Sequence, residues 1–177
     1  MKKGLVQLFV GDGKGKTSLA VGSAIRAVGS GFKVLFFQFL KNGDSGEVSV
    51  LKSIPGIDFL DNPISNTFVF SGDAEKANAY RDIYSPIIDE IVQKTTDGSY
   101  DMVVLDEAVD AYNLGIFPNL SELMKTKNEG TELILTGHEY KGIPIDALRD
   151  AADYITYLKK EKHPFDNGVY ARKGIEF

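Results

Sequence analysis

Leu5-Val6-Gln7-Leu8-Phe9-Val10, continued by Gly11-Asp12-Gly13-Lys14-Gly15-Lys16-Thr17-Ser18, is the stretch that decides the fold. A short apolar run of strand length passes straight into a glycine-lysine loop, and a helical pattern, Lys16–Val28, opens at its end. Glycines at 11, 13 and 15 let successive backbone N–H groups turn inward as an anion nest. The helix N-terminus adds its unpaired donors and its dipole. Lys16 brings a mobile positive charge to bound phosphates, and the Thr17 hydroxyl is placed to ligate Mg²⁺. A tight strand-to-helix turn would also use glycine, but would not need Gly-Lys-Thr at that spacing. Residues 11–18 are therefore the expected ATP-binding loop. The loop is irregular in one respect. A standard Walker A loop has glycine five residues before the Gly of Gly-Lys-Thr, and that position is Val10. Gly11 is the nearest glycine, so the loop is one residue short. A tighter nest holds a triphosphate differently, and ordinary γ-phosphoryl transfer does not follow from the motif.

Met102-Val103-Val104-Leu105-Asp106-Glu107 reads as the partner motif, an apolar strand ending in two acids. Alone it is ambiguous, since strands often end in an acidic helix cap. Beside a phosphate loop it reads as a Walker B strand. Asp106 and Glu107 then join Thr17 as metal ligands for Mg²⁺ carried by the nucleotide. In a hydrolase Glu107 would activate water; where no water attacks, it is free to ligate metal.

Outward from these motifs, short β-branched and apolar runs alternate with helical patterns, which predicts an α/β fold with a mainly parallel sheet in three layers. Expected strands are Leu5–Val10, Lys33–Phe39, Ile57–Leu60, Met102–Leu105, Glu132–Thr136 and Tyr154–Tyr157. Most are near-continuous apolar runs, as strands covered on both faces are. Helices are expected at Lys16–Val28, Gly46–Ser53, Asp73–Thr95, Glu107–Tyr112, Leu120–Lys127 and Ile145–Ala151. The longest carries an apolar stripe of Ile83, Ile87, Ile88, Ile91 and Val92, and Pro86 is expected to kink or divide it. Asp61–Gly72 and the tail from Lys160 have no clean period and read as ordered loops near the site. With no repeat and no interdomain linker, 1–177 reads as a single P-loop domain.

Composition narrows the class further. The net charge of −5 argues against a nucleic-acid partner. The chain has no cysteine, which removes disulfides and thiolate metal sites. No apolar run reaches membrane-spanning length, and the run after Lys2 and Lys3 meets a glycine-lysine loop where a signal peptide would be cleaved. The expected setting is cytoplasmic, with no membrane partner.

Over nearly its whole length the chain resembles the P-loop ATP:cob(I)alamin (corrinoid) adenosyltransferases. The resemblance rests on the short phosphate loop, Arg26 in Arg-Ala-Val-Gly, Gln38-Phe39 followed by Lys41 and Gly43, Gly46-Glu47, Val-Val-Leu-Asp-Glu, and Thr136-Gly137. It closes on the tail Lys162-His163-Pro164-Phe165-Asp166-Asn167-Gly168-Val169, then Ala171 and Gly174-Ile175, which generic ATPases lack. It implies transfer of the 5′-deoxyadenosyl group of ATP to the cobalt of a reduced corrinoid, cob(I)alamin or a precursor, with release of triphosphate. The nucleotide then lies reversed in the loop, in keeping with the missing residue. Cobalt(I) has no proton to lose, so catalysis reduces to positioning and to stabilising the charge left on triphosphate. Lys16, Thr17 and Glu107 are the expected catalytic residues, with Mg²⁺ and Arg26 serving the same charge. Arg26 also reads as an ordinary solvated helix residue. A phosphotransferase or ATPase, and a non-catalytic nucleotide-binding module, are the rival readings. The resemblance also implies a homodimer and a flavoprotein electron donor.

Phe68 and Phe70 fall in the loop that, by resemblance, approaches the corrin face. Family members often carry Trp at the second position, and this chain has no Trp. Packing under a loop is the competing reading for both rings. Two further departures are His138 after Thr136-Gly137, where Arg is frequent, and the few residues ahead of the first strand, where some members carry an arm that covers the site. His163 matches the family tail and reads equally well as a structural histidine.

Overall fold

The computed structural model describes residues 3–41, 43–64 and 74–176, with the side chains of 74–77 excepted. Phe68 and Phe70 lie outside the described residues. Six strands, β1 (Val6–Val10), β2 (Val34–Gln38), β3 (Ile57–Phe59), β4 (Met102–Asp106), β5 (Glu132–Gly137) and β6 (Tyr154–Tyr157), form one sheet. Their order is β3-β2-β4-β5-β1-β6, and every pairing is parallel. The helices are α1 (Lys16–Gly29), α2 (Gly46–Ser53), α3 (Ala74–Thr96), α4 (Ala108–Asn113), α5 (Leu120–Thr126) and α6 (Asp146–Ala151), with a 3₁₀ turn over Pro164–Asn167.

The near-continuous apolar strands are explained by the two cores they feed. Phe9, Val34, Phe36, Met102, Val104 and Ile134 face one core, shared with Ala20, Ala24 and Ala27 of α1. Their neighbours Leu8, Val10, Leu35, Phe37, Val103, Leu105, Leu133 and Leu135 face the other, with Tyr84 and Ile91 of α3 and residues of α4 and α5. Side chains alternate across a strand, so a strand buried on both faces has no polar positions to spare. The alanines of α1 recur at helical spacing and give the helix a small-residue face toward the sheet.

Two expectations need correction. Pro86 lies inside α3, which runs as one helix from 74 to 96 and is not divided. The stripe of α3 faces the core through Ile87, Ile88, Ile91 and Val92, but its first member is Tyr84, wholly buried, and not Ile83, which is 47% exposed. The line through Tyr84, Ile87, Ile88, Ile91 and Thr95 keeps the spacing, and Thr95 is accommodated by donating its hydroxyl to the Ile91 carbonyl. β6 is exposed at all four positions, because it is the sheet edge beyond β1. Among the described residues no helix is long and apolar enough to cross a membrane.

Candidate active site

β1, β5 and β4 lie side by side with their carboxyl ends level, Val10 opposite Gly137 and Leu105 opposite Leu135. Gln38 at the end of β2 pairs in register with Asp106. Ligands of parallel α/β sheets bind beyond these carboxyl ends. A cleft of about 800 Å³ is found there, its wall including Thr17, Ser18, Lys41, Glu47, Glu107 and Ile175. A second concavity of about 890 Å³ lies at the opposite ends of the strands, around Gly4, Lys127 and Asp153, away from the loop.

The phosphate loop meets α1 through Gly15, at φ 112°, and no side chain caps the helix. No acid stands in its first turn, so the exposed N–H groups keep their attraction for an anion. Lys16 Nζ folds back to donate to the carbonyls of Gly11 (2.8 Å) and Gly13 (2.9 Å). Partial burial lowers its pKa from the ordinary lysine value. Gly11 and Gly13 have a second reason to be glycine. A Cβ on either would meet the Leu158 carbonyl oxygen, at 2.3 Å and 2.7 Å, just after β6. Gly13 N–H donates to that same oxygen, so it is not a free donor of the nest. Asp12 accepts from Lys160 N–H, and Lys14 pairs with Glu176 at 3.0 Å. The tail from Lys160, read from sequence as a loop near the site, thus lies against the phosphate loop.

At the metal side Asp106 is wholly buried and fully engaged. Thr136 Oγ1 donates to Asp106 Oδ1 at 2.6 Å, and Thr17 Oγ1 lies 3.1 Å from both carboxylate oxygens. Gln38 Nε2 donates to Asp106 Oδ2 and to Glu47 Oε1. Lys41 Nζ donates to Asp106 Oδ2 at 2.6 Å and to Thr17 Oγ1 at 3.2 Å. Burial alone would lower the Lys41 pKa; Asp106, Glu107 and Glu47 outweigh it and hold the ammonium above its ordinary value. Burial pushes the Glu107 carboxyl up from 4.5 to about 7, against the opposing pull of Lys41. Among the described residues, only Leu40 and Glu107 have positive φ without being glycine, each at 58°. Both flank this cluster, where strain of order 1 kcal/mol is held by the surrounding contacts.

The donors are all oxygens, which suits a hard cation of the Mg²⁺ kind. Among the described residues no group of three or more His, Cys, Asp or Glu is arranged to hold a metal alone. The set fits an ion that brings phosphate oxygens with it, not a caged one.

Thr17, Ser18, Asp106 and Glu107 are therefore brought together as expected from sequence. Arg26 is not: it is exposed in the last turn of α1, about 15 Å along the axis from Lys16 by helical rise, and outside the cleft wall. Lys41, Gln38, Glu47 and Thr136 are site members to which the motifs alone assigned no role. All four belong to the stretches that carry the family resemblance; beyond that, Gln38, Lys41 and Thr136 are marked only as polar residues at or near the end of an apolar strand, and Glu47 only as an acid in the first turn of α2. His138 Nδ1 lies 3.1 Å from Asp110 Oδ1, and Tyr140 donates its hydroxyl to the same oxygen. His163 Nδ1 accepts Phe165 N–H at the start of the 3₁₀ turn, a structural task.

The chain is similar along nearly its whole length to several corrinoid adenosyltransferases. It is 33% identical to the corrinoid adenosyltransferase of Escherichia coli K12 over 180 residues, covering 99% of this chain and 87% of that protein. It is 31% identical to the corrinoid adenosyltransferase CobA of Salmonella typhimurium over 179 residues, with the same coverage. The corrinoid adenosyltransferase of Pseudomonas aeruginosa is 30% identical over 183 residues, covering 99% of this chain and 85% of that protein. Residues 2–177 match the family described as ATP:corrinoid adenosyltransferase BtuR/CobO/CobP. The chain belongs to that ATP:corrinoid adenosyltransferase family, an enzyme family that moves the adenosyl group of ATP to a corrinoid.

Proposed function

We propose that the cleft at the carboxyl ends of β1 and β4 binds ATP with its triphosphate in the 11–18 loop. The 5′ carbon then faces a reduced corrinoid, and intact triphosphate departs. The observation that carries this reading is the direct contact between Thr17 and Asp106, which ties the phosphate loop to the acidic strand end. Mg²⁺, when bound with the nucleotide, supplies positive charge to the departing phosphate oxygens. Thr17, Asp106 and Glu107 would hold it.

The chain's own residues do the rest. Lys16, released from the loop carbonyls, and the open first turn of α1 receive the charge that grows on triphosphate. The tail from Lys160, fastened at Asp12 and Lys14, walls the cleft near Ile175 and keeps water from the reacting carbon. No side chain is asked to act as a general base, since cobalt(I) attacks through an electron pair. The C5′–O bond breaks as the cobalt–carbon bond forms, and both its electrons leave with the phosphate. Phe68 and Phe70 belong to this reading as the corrin-facing pair, by family resemblance. A homodimer and a flavoprotein electron donor go with it on the same ground.

Incubation with ATP, Mg²⁺ and chemically reduced cob(I)alamin tests the reading. The Co(I) spectrum should give way to that of an alkylated corrinoid only when protein and ATP are both present. Loss of Co(I) at the same rate without ATP would count against it.

A further inference from the structure

Lys41 stands one residue after the strained Leu40, on the segment that leaves β2 at the edge of the cleft. Its ammonium is surrounded by oxygens: Asp106 Oδ2 at 2.6 Å, Thr17 Oγ1 at 3.2 Å, Glu47 Oε1 at 3.8 Å and Glu107 Oε1 at 3.9 Å. Three carboxylates around one ammonium leave excess negative charge, and the Lys41 side chain is only 17% exposed. Three of those four partners are the residues assigned above to the divalent ion. An ammonium and a divalent cation cannot both hold them, because two positive charges a few ångströms apart in a half-buried cleft repel strongly.

We propose that Lys41 is a further phosphate-binding residue of the reaction. It is held on Thr17 and Asp106 until a divalent ion takes those oxygens, and is then turned onto the triphosphate. The inference rests on the reading of Thr17, Asp106 and Glu107 as metal ligands. Its chemistry follows from what the displaced ammonium meets. Lys41 lines the same cleft as Thr17 and Ser18, at the mouth of the phosphate loop. Once the carboxylates are occupied, the triphosphate is the anion within reach of its four-carbon stem. A second lysine thus joins Lys16 on the leaving group, and arrives only when metal and nucleotide arrive. Until then it neutralises a buried carboxylate that would otherwise be costly to keep ionised.

The test compares Lys41→Met with the wild type in two titrations whose expected signs are opposite. Mn²⁺ is titrated into nucleotide-free protein, with free ion read by electron paramagnetic resonance. Inorganic triphosphate is then titrated at fixed Mg²⁺. Lys41→Met should bind Mn²⁺ at least about tenfold more tightly, since a competing charge has gone, and triphosphate about tenfold more weakly. A purely structural lysine would move both in the same direction or neither, and either pattern overturns the proposal. If Lys41→Met folds only once Mn²⁺ is added, the exchange of one cation for the other is seen directly. If it fails to fold with or without Mn²⁺, metal cannot replace the ammonium and the proposal is wrong. Wild type that binds no Mn²⁺ even with ATP would bring down the metal-ligand reading itself, a different failure from unchanged affinities in the variant.

Discussion

Thr136 Oγ1 donates to Asp106 Oδ1 at 2.6 Å and itself accepts Glu107 N–H at 2.9 Å. One hydroxyl on β5 therefore sets both acids at the end of β4, the first through its carboxylate and the second through its strained backbone. Thr136→Val keeps the shape and removes the hydroxyl, leaving a buried carboxylate and an N–H each short of a partner. It should cost about 2–3 kcal/mol in thermal or denaturant unfolding. Thr136→Ser should restore most of that. Equal stability of the valine variant would show that the hydroxyl is not what holds these acids.

Lys16→Ala and Thr17→Ala should each lower turnover by about 10²–10³-fold or more, since each removes a group aimed at developing phosphate charge or its metal. Lys16 bonds only to carbonyls of its own loop, so Lys16→Ala should change fold stability little; Thr17→Ala also removes a hydrogen bond to buried Asp106 and should cost about 1–2 kcal/mol, small beside the loss of activity. Steady-state rates at subsaturating ATP check this, and near-normal activity in either variant removes the basis for the site.

Gly13→Ala should be disruptive although Gly13 does not need a positive φ. Its Cβ would sit 2.7 Å from the Leu158 carbonyl oxygen, backbone that cannot easily yield. The end of β6 must then shift and the Gly13–Leu158 hydrogen bond lengthen. A destabilisation of about 1–3 kcal/mol is expected. Fluorescent-nucleotide titration should show weakened ATP binding as well. Unchanged unfolding and unchanged affinity would mean that the loop is not seated on the Leu158 carbonyl at the end of β6.

Glu107 gives the stability of the metal-free protein a definite pH dependence. Its carboxyl is raised from 4.5 to about 7, so between those values the folded chain keeps a proton that the unfolded chain has released. Stability then falls as pH rises from about 4.5 to about 7 and is level above, with a ceiling of about 3 kcal/mol from this group. Glu107→Gln should be more stable than wild type at pH 8, and the gap should close toward pH 5. Denaturant unfolding in chelator-treated buffer at several pH values measures it. A constant gap would mean that Glu107 is ionised throughout.

Much of this arrangement was legible in the chain because local pattern and tertiary role coincide. The double-faced strands could only be apolar runs, and the loop glycines stand beside the lysine and threonine they serve. Only the first member of the α3 stripe differs from expectation, because Ile83 and Tyr84 are both large and apolar and only packing against the sheet decides which turns inward. Gln38, Lys41 and Thr136 drew no role from the motifs for a different reason. They meet Asp106 only because the order β3-β2-β4-β5-β1-β6 puts β2 and β5 on either side of β4. Strand order is a property of the assembled sheet and leaves no mark at those residues.

The most direct test of the account is the fate of the phosphates. Phosphorus NMR of a completed reaction with ATP, Mg²⁺ and cob(I)alamin should show inorganic triphosphate equal in amount to the adenosylated corrinoid measured optically in the same tube. That equality follows from attack at C5′ with the triphosphate held by a shortened loop, Lys16 and the Thr17–Asp106 contact. ADP and orthophosphate in stoichiometric amounts would contradict it, since they require cleavage between phosphates and leave the adenosyl group where it began.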